Sequence, residues 1–294
     1  MTIECVPNVS EGRRAEVVAA LSRVVAATRG VRLLDASADT AHNRSVYTCV
    51  GDPEGLETAV LELGAAAVSA IDLRSHVGVH PRIGVLDVVP FVPLEGVTME
   101  TCVALARRVG ASLGERLGIP VFLYEAAATS DARRRLEDIR RGGLAGLTAR
   151  MLGPAWAPDF GPRVPHPSAG ACAVGARPIL IAFNVDLATT DLAIAKRIAA
   201  RVRESGGGLP AVKAMGVALA DRGLVQVSMN LTDFARTSMA EAFGVVEREA
   251  ARYGVRVEES ELVGLVPRAA MAGTSAAALR LRAFSDDRII ENRL

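Results

Sequence analysis

His76 and His80 lie in SHVGVHPRIGVLDVVPFVP, the stretch from Ser75 to Pro93, with Arg82 two residues beyond the second histidine. Imidazole, with an ordinary pKa of about 6.5, suits proton transfer near neutral pH, and a guanidinium fork matches a carboxylate. The histidines therefore offer proton transfer. Pro81 pushes His80 toward extended geometry and Gly78 loosens the backbone between the histidines, so the two do not stack one turn apart on a helix. The β-branched content of Ile83 to Val89 reads as a buried strand, which puts both histidines on a loop leading into a sheet. The residues alone leave two readings open: proton transfer, or histidines that only hydrogen-bond the backbone where a strand begins. A third reading is a hydrolase metal site built from His76, His80 and Asp39 or Asp87. Neither a helical HxxxH nor a CxxC spacing supports it, and no metal is expected.

The elements around this loop alternate. Ile3 to Val6 reads as a short strand, and Ser10 is a candidate cap for a helix that turns Val17, Val18, Leu21, Val24 and Val25 inward and stops at Gly30. Val31 to Asp35 and Ser45 to Gly51 are strands joined by the polar run Ser37 to Arg44, a second candidate site. The spacing Leu56, Ala59, Val60, Leu63, Ala67, Ala70 and Ile71 predicts an amphipathic helix that delivers the chain to the histidine loop. A helix using Cys102, Leu105, Ala106, Val109 and Leu113 precedes a strand at Pro120 to Tyr124. The arginine-rich segment from Asp131 to Met151 reads as a solvated, charge-laced helical face, because acidic residues interleave it. Gly153 to Gly175 is a long Pro- and Gly-rich loop holding Trp156 and Phe160, suited to one wall of a pocket for a flat ligand.

The second half repeats the rhythm. Ile179 to Leu187 alternates, a helix follows with Leu192, Ala195, Ile198, Ala199 and Val202, and Val212 to Leu219 with Leu224 to Leu231 predicts a hairpin around Asp221-Arg222-Gly223. A helix through Met239, Ala242, Phe243, Val246 and Ala250 leads to a strand within Val255 to Val266. The order β-α-β-β-α-β thus occurs twice: an α+β chain of two ferredoxin-like, split β-α-β subdomains, residues 1–177 and 178–294, with helices on the outer faces and the sheets facing each other across a ligand cleft. Asn184, Asp186, Gln226, Ser228 and Asn230 form the polar row expected to line that cleft, with an ordinary solvated face as the other reading.

With 34 basic and 33 acidic residues among 294, the net charge is +1, and three Tyr, seven Phe and one Trp leave little for base stacking, so nucleic acid is excluded as a partner. No apolar run approaches the roughly 18 residues of a membrane span, and the first residues lack a secretory pattern, so the expected location is the cytoplasm, away from membranes. Cys5, Cys49, Cys102 and Cys172 are widely spaced and expected to be reduced and structural.

ECVPNVSEG at Glu4 to Gly12, HNRSVYT at His42 to Thr48, HPRIGVLDVVPF at His80 to Phe91, WAPDFGP at Trp156 to Pro162, LIAFNVDL at Leu180 to Leu187, QVSMNL at Gln226 to Leu231 and LVGLVP at Leu262 to Pro267 together resemble the formiminotransferase family. The resemblance is collinear over nearly the whole chain. It implies two α/β subdomains flanking a folate tunnel, a homodimer, and transfer of a formimino group between N5 of tetrahydrofolate and the amine of glutamate, with tetrahydrofolate or 5-formiminotetrahydrofolate as co-substrate. The family's catalytic histidine matches His80. Its folate-binding stretch matches Gly161, Pro162, Arg163, Val164, Pro165, His166, Pro167, Ser168, Ala169 and Gly170, although Arg163 to Ala169 departs from the serine- and tryptophan-containing segment of animal members. With Leu294 the last residue, only the transferase activity is implied, not a cyclodeaminase.

The implied chemistry suits the residues. Glutamate arrives as an ammonium ion and needs a base, which His80 supplies, and the same imidazolium can return the proton to the departing N5. Arg44 and Arg82 are candidate forks for substrate carboxylates, or surface salt-bridge partners, and Asn184, Gln226 and Asn230 are candidate substrate contacts in the cleft. Alternatives within this frame are a 5-formyltetrahydrofolate cyclising activity and a ferredoxin-like folate-binding module without catalysis.

Overall fold

A computed structural model describes residues 2–40, 42–78, 81–94 and 96–294, and the chain divides into two compact units, Met1–Arg177 and Pro178–Leu294. The first contains β1 (Ile3–Cys5), β2 (Asn8–Val9), α1 (Ala15–Ala27), β3 (Val31–Asp39), β4 (Arg44–Gly51), α2 (Pro53–Ala70), β5 (Leu86–Pro93), α3 (Met99–Leu117), β6 (Val121–Glu125), α4 (Leu136–Arg140), α5 (Gly143–Met151) and β7 (Cys172–Ala176). β1 and β2 are two pieces of one line between β4 and β5, interrupted at Pro7, which has no N–H for the ladder. The sheet runs β3, β4, β1 with β2, β5, β7, β6, antiparallel as far as β5 and parallel from there.

Local chemistry accounts for the helix ends. The Asp52 carboxylate accepts the Glu54 and Gly55 N–H groups at 3.1 and 2.8 Å, with Pro53 preset for the first turn of α2. Ser10 does not cap α1. Its hydroxyl is buried on the Gly84 carbonyl at 2.7 Å, and α1 has no side-chain cap; Glu11 Oε1 accepts the Arg13 and Arg14 N–H groups at 2.8 and 2.9 Å just ahead of the helix. The β3–β4 pair is longer than its apolar core: the polar run continues both strands until Asp39 stands opposite Arg44.

The first unit's helices do not all lie on one face. Ile3, Cys5, Leu86, Val89, Phe91, Val121, Leu123 and Val174 pack with α1, α2 and α3, while Val88, Phe122, Tyr124 and Ala173 point the other way, onto Ile139, Leu147 and Met151 of α4 and α5. The strands β5, β7 and β6 are parallel neighbours and are buried from both sides, as parallel sheets usually are. The arginine-rich segment is accordingly only partly solvated. Arg133 is buried, donating to the Ala157 carbonyl at 2.6 Å and pairing with Asp159 at 3.1 Å, and Arg140 pairs with buried Asp87, whereas Arg134 and Arg141 stay exposed. Asp159 also accepts the Leu123 N–H at 2.7 Å, which pins the long Pro- and Gly-rich loop to β6.

The second unit contains β8 (Ile181–Leu187), α6 (Leu192–Val202), β9 (Val212–Leu219), β10 (Leu224–Leu231), α7 (Met239–Ala251) and β11 (Val257–Val263). Its sheet runs β11, β8, β10, β9, antiparallel throughout. Val225, Val227, Met229 and Leu231 join Ile181, Phe183, Val185 and Leu187 on the face covered by α6 and α7. The four cysteines are buried and free, and among the described residues no helix is long and apolar enough to cross a membrane.

Candidate active site

Three loops of the first unit meet where strands end: residues 10–14 after β2, the β3–β4 turn, and the approach to His80. Asn43 joins them. Its Oδ1 accepts the Gly12 N–H at 2.9 Å, its Nδ2 donates to the Val77 carbonyl at 3.0 Å, and its own carbonyl lies 3.0 Å from His76 Nε2. The contact is close enough to exclude side chains. A β-carbon on Gly12 would lie 2.6 Å from the Arg44 amide nitrogen, and one on Gly78 would lie 2.5 Å from the His42 carbonyl oxygen.

His80 itself lies outside the described residues, as does Val79. Their neighbours are held from both sides. Arg82 donates through Nη1 to the Gly78 carbonyl and through Nη2 to the His76 carbonyl, both at 3.0 Å, so its fork reaches back over the loop. Beyond it, Asp87 Oδ1 accepts the Ile83 N–H at 2.6 Å and the Gly84 N–H at 3.2 Å, and Oδ2 meets Arg140. Both oxygens of Asp87, weighed above as a metal ligand, are thereby engaged. Asp39, the other candidate, accepts the His42 N–H at 2.8 Å and contacts His42 Nδ1 at 2.7 Å.

The stretch matched to folate binding adjoins the same loop. His166 and Gly170 exchange N–H···O bonds of 2.8 and 2.9 Å, and His166 Nδ1 accepts the Ala169 N–H at 3.0 Å and the Ser168 N–H at 3.3 Å, which leaves any proton of the neutral ring on Nε2. The turn is then stitched to both flanks of the histidine loop: Leu73 N–H to the Ser168 carbonyl at 2.8 Å, Val85 N–H to the Ala169 carbonyl and Ala171 N–H to the Ile83 carbonyl, each at 2.9 Å. Gly161 to Val164 and Pro167 are exposed, Pro165, His166 and Ser168 half-buried, and Ala169 and Gly170 buried. A cavity of about 370 Å3 opens beside the loop, lined by Leu73, Pro81, Arg82 and residues 142–145 at the start of α5.

Electrostatics follow from burial. Burial and the Arg82 charge push the His76 imidazole below its ordinary pKa, against the pull of the Asn43 carbonyl. Its Nδ1 is buried without a hydrogen-bond partner among the described residues. Arg44 is half-buried at the start of β4; burial and the neighbouring Arg140 charge lower its pKa, while Asp87 and Asp39 oppose the shift. Burial works to raise the Glu11 pKa, but the Arg14 and Arg13 N–H groups and the Arg14 guanidinium outweigh it and hold the carboxyl low.

In the second unit, Asn184 and Gln226 are buried and Asn230 is exposed. Asn184 Oδ1 accepts the Met229 N–H at 3.3 Å. Asp186, fully buried, accepts from Gln226 Nε2 at 2.8 Å and Arg222 Nη1 at 2.6 Å, and Arg222 continues to Glu259 at 2.7 Å. The polar row is thus a satisfied network over much of its length.

Residues 2–177 match the N-terminal subdomain of the formiminotransferase domain, and residues 182–285 match the formiminotransferase domain. The chain belongs to the formiminotransferase family. A glutamate formimidoyltransferase of Streptococcus pyogenes serotype M1 is 43% identical over 99% of this chain and 98% of its own length. That of Thermoplasma acidophilum is 44% identical over 99% of this chain and 97% of its own. The formimidoyltransferase-cyclodeaminase of Sus scrofa is 45% identical over 93% of this chain, which spans 52% of that longer protein. Sequence reasoning about this family member held Asn43 only as one member of a candidate polar run and Arg140 only as part of a solvated face, without their contacts. The signals were present: an Asn that tolerates a left-handed turn beside a motif arginine, and an acidic residue, Asp87, inside an apolar run that demands a partner.

Proposed function

We propose that this chain transfers a formimino group between N5 of tetrahydrofolate and the amine of L-glutamate, with His80 as the proton-transferring residue. The reading rests on one observation above all: the loop approaching His80 and the stretch matched to folate binding are hydrogen-bonded together on both sides of the histidine. In the direction toward N-formiminoglutamate, His80 removes a proton from the glutamate ammonium, and the freed amine adds to the amidine carbon of 5-formiminotetrahydrofolate. The tetrahedral intermediate collapses as N5 takes a proton from the imidazolium and leaves, so the proton count balances and no covalent enzyme intermediate is needed. The cavity beside Pro81 and Arg82 offers space for the amine substrate, and Arg44 stands on the same unit as a carboxylate partner. The chain acts on this reading as a homodimer that uses folate, which the family resemblance supports, and it does so in the cytoplasm and without a metal.

The test is an assay of 5-formiminotetrahydrofolate with glutamate, with other amino acids and with 5-formyltetrahydrofolate as controls, for the wild type and His80→Ala. Formimino transfer to glutamate that falls by about 10² to 10⁴ in His80→Ala, with folate affinity kept, is the expected result. Folate binding without turnover, or near-normal turnover in His80→Ala, defeats it.

A further inference from the structure

We propose that Asn43 is a positioning residue for the transfer reaction, setting the loop that carries His80; the inference rests on His80 being the proton carrier. Asn43 is buried, with 8% exposure, and sits at φ +49°, a left-handed conformation that asparagine tolerates better than most residues. That turn lets one residue use three groups on two other loops: the Gly12 N–H, the Val77 carbonyl and the His76 imidazole. His76 Nε2 faces a carbonyl, which only accepts, so Nε2 carries the proton and the ring is fixed as a donor. Residues 76 and 77, four and three positions before His80, are therefore tied to the β3–β4 turn by Asn43, the first through its backbone carbonyl and the second through its side-chain amide. Asn43 Cβ would also lie 3.0 Å from a β-carbon on Gly78, so the loop is seated against it.

These ties are separate from those of the folate-matched stretch, which bonds through the backbone of Leu73, Ile83 and Val85. Loss of the Asn43 side chain should therefore loosen the approach to His80 while leaving the folate segment seated. Catalytic groups lose about 10²-fold in rate for a displacement of about 1 Å, so the effect should fall on kcat rather than on binding.

Asn43→Gly keeps the left-handed backbone and deletes both side-chain bonds; Asn43→Asp keeps the acceptor for Gly12 but sets a carboxylate oxygen against the Val77 carbonyl. Both variants should lose about 10²-fold in kcat, with the folate KM within about twofold of wild type. Amide exchange at Val77 and Gly78 should quicken in Asn43→Gly while that at Ala169 and Ala171 stays slow. An unchanged kcat, or a kcat that falls only in step with folate affinity, overturns the proposal. The exchange measurement needs no substrate: an inactive wild type would sink the proposed function, whereas unaltered exchange at Val77 and Gly78 would sink the role of Asn43.

Discussion

The Asp87 carboxylate meets the Arg140 guanidinium on Oδ2 while its Oδ1 accepts the Ile83 and Gly84 N–H groups, a junction at 1% exposure that joins α4 to the segment just after the histidine loop. Removing one partner from such a junction leaves a buried cation and two buried donors without an acceptor. Asp87→Ala should destabilise the protein by about 3–5 kcal/mol, and Asp87→Asn, which keeps an acceptor but not the charge, by about 1–3 kcal/mol. Chemical denaturation of the two variants checks the order; equal losses would mean that the charge contributes nothing.

Arg82 and Arg44 should separate in kinetics. The Arg82 fork is given to the His76 and Gly78 carbonyls, so Arg82→Gln should lower kcat by about tenfold or more with the glutamate KM little changed. Arg44→Gln should raise the glutamate KM. Steady-state kinetics with glutamate varied decides it, and a raised glutamate KM in Arg82→Gln would assign that residue, too, to the substrate carboxylate.

Glu4, buried in β1, has its pKa pushed up by burial to about 7, with the Arg177 charge acting against the shift. The unfolded chain releases this proton near the ordinary value of 4.5, while the folded chain keeps it until about 7. Stability therefore falls as pH rises across that interval, by at most about 3 kcal/mol from this group. The stability advantage of Glu4→Gln over wild type should grow between pH 5 and pH 8 in urea titrations; a pH-independent difference would show that Glu4 does not hold its proton.

Trp156, the single tryptophan, is half-buried with the Arg150 guanidinium 4.5 Å from its ring centroid, and it sits on the loop that runs on to the folate-matched stretch. Saturating tetrahydrofolate should change its emission. Arg150→Gln should shift the emission of the free protein and preserve the folate response, and silence on folate addition would detach this loop from binding.

Much of this protein is legible along the chain. The periodicity of Leu56 to Ile71, the alternation of Ile179 to Leu187 and of Leu224 to Leu231, and the turn at Asp221 to Gly223 correspond to α2, β8, β10 and the β9–β10 turn, because each depends on which side of one element faces a core. The motif blocks likewise pointed to the family. What stayed hidden depends on contacts between residues far apart in sequence. Ser10 carries a good capping side chain, yet the Gly84 carbonyl takes it and α1 begins without a side-chain cap. Arg133 and Arg140 look like solvated charges until Asp159 and Asp87 meet them in the interior. Asn43 shows in sequence only as one member of a polar run and of a motif block. That it binds Gly12, His76 and Val77 together was decided by tertiary structure, because a hydrogen bond depends on distance and direction in space and leaves no period along the chain.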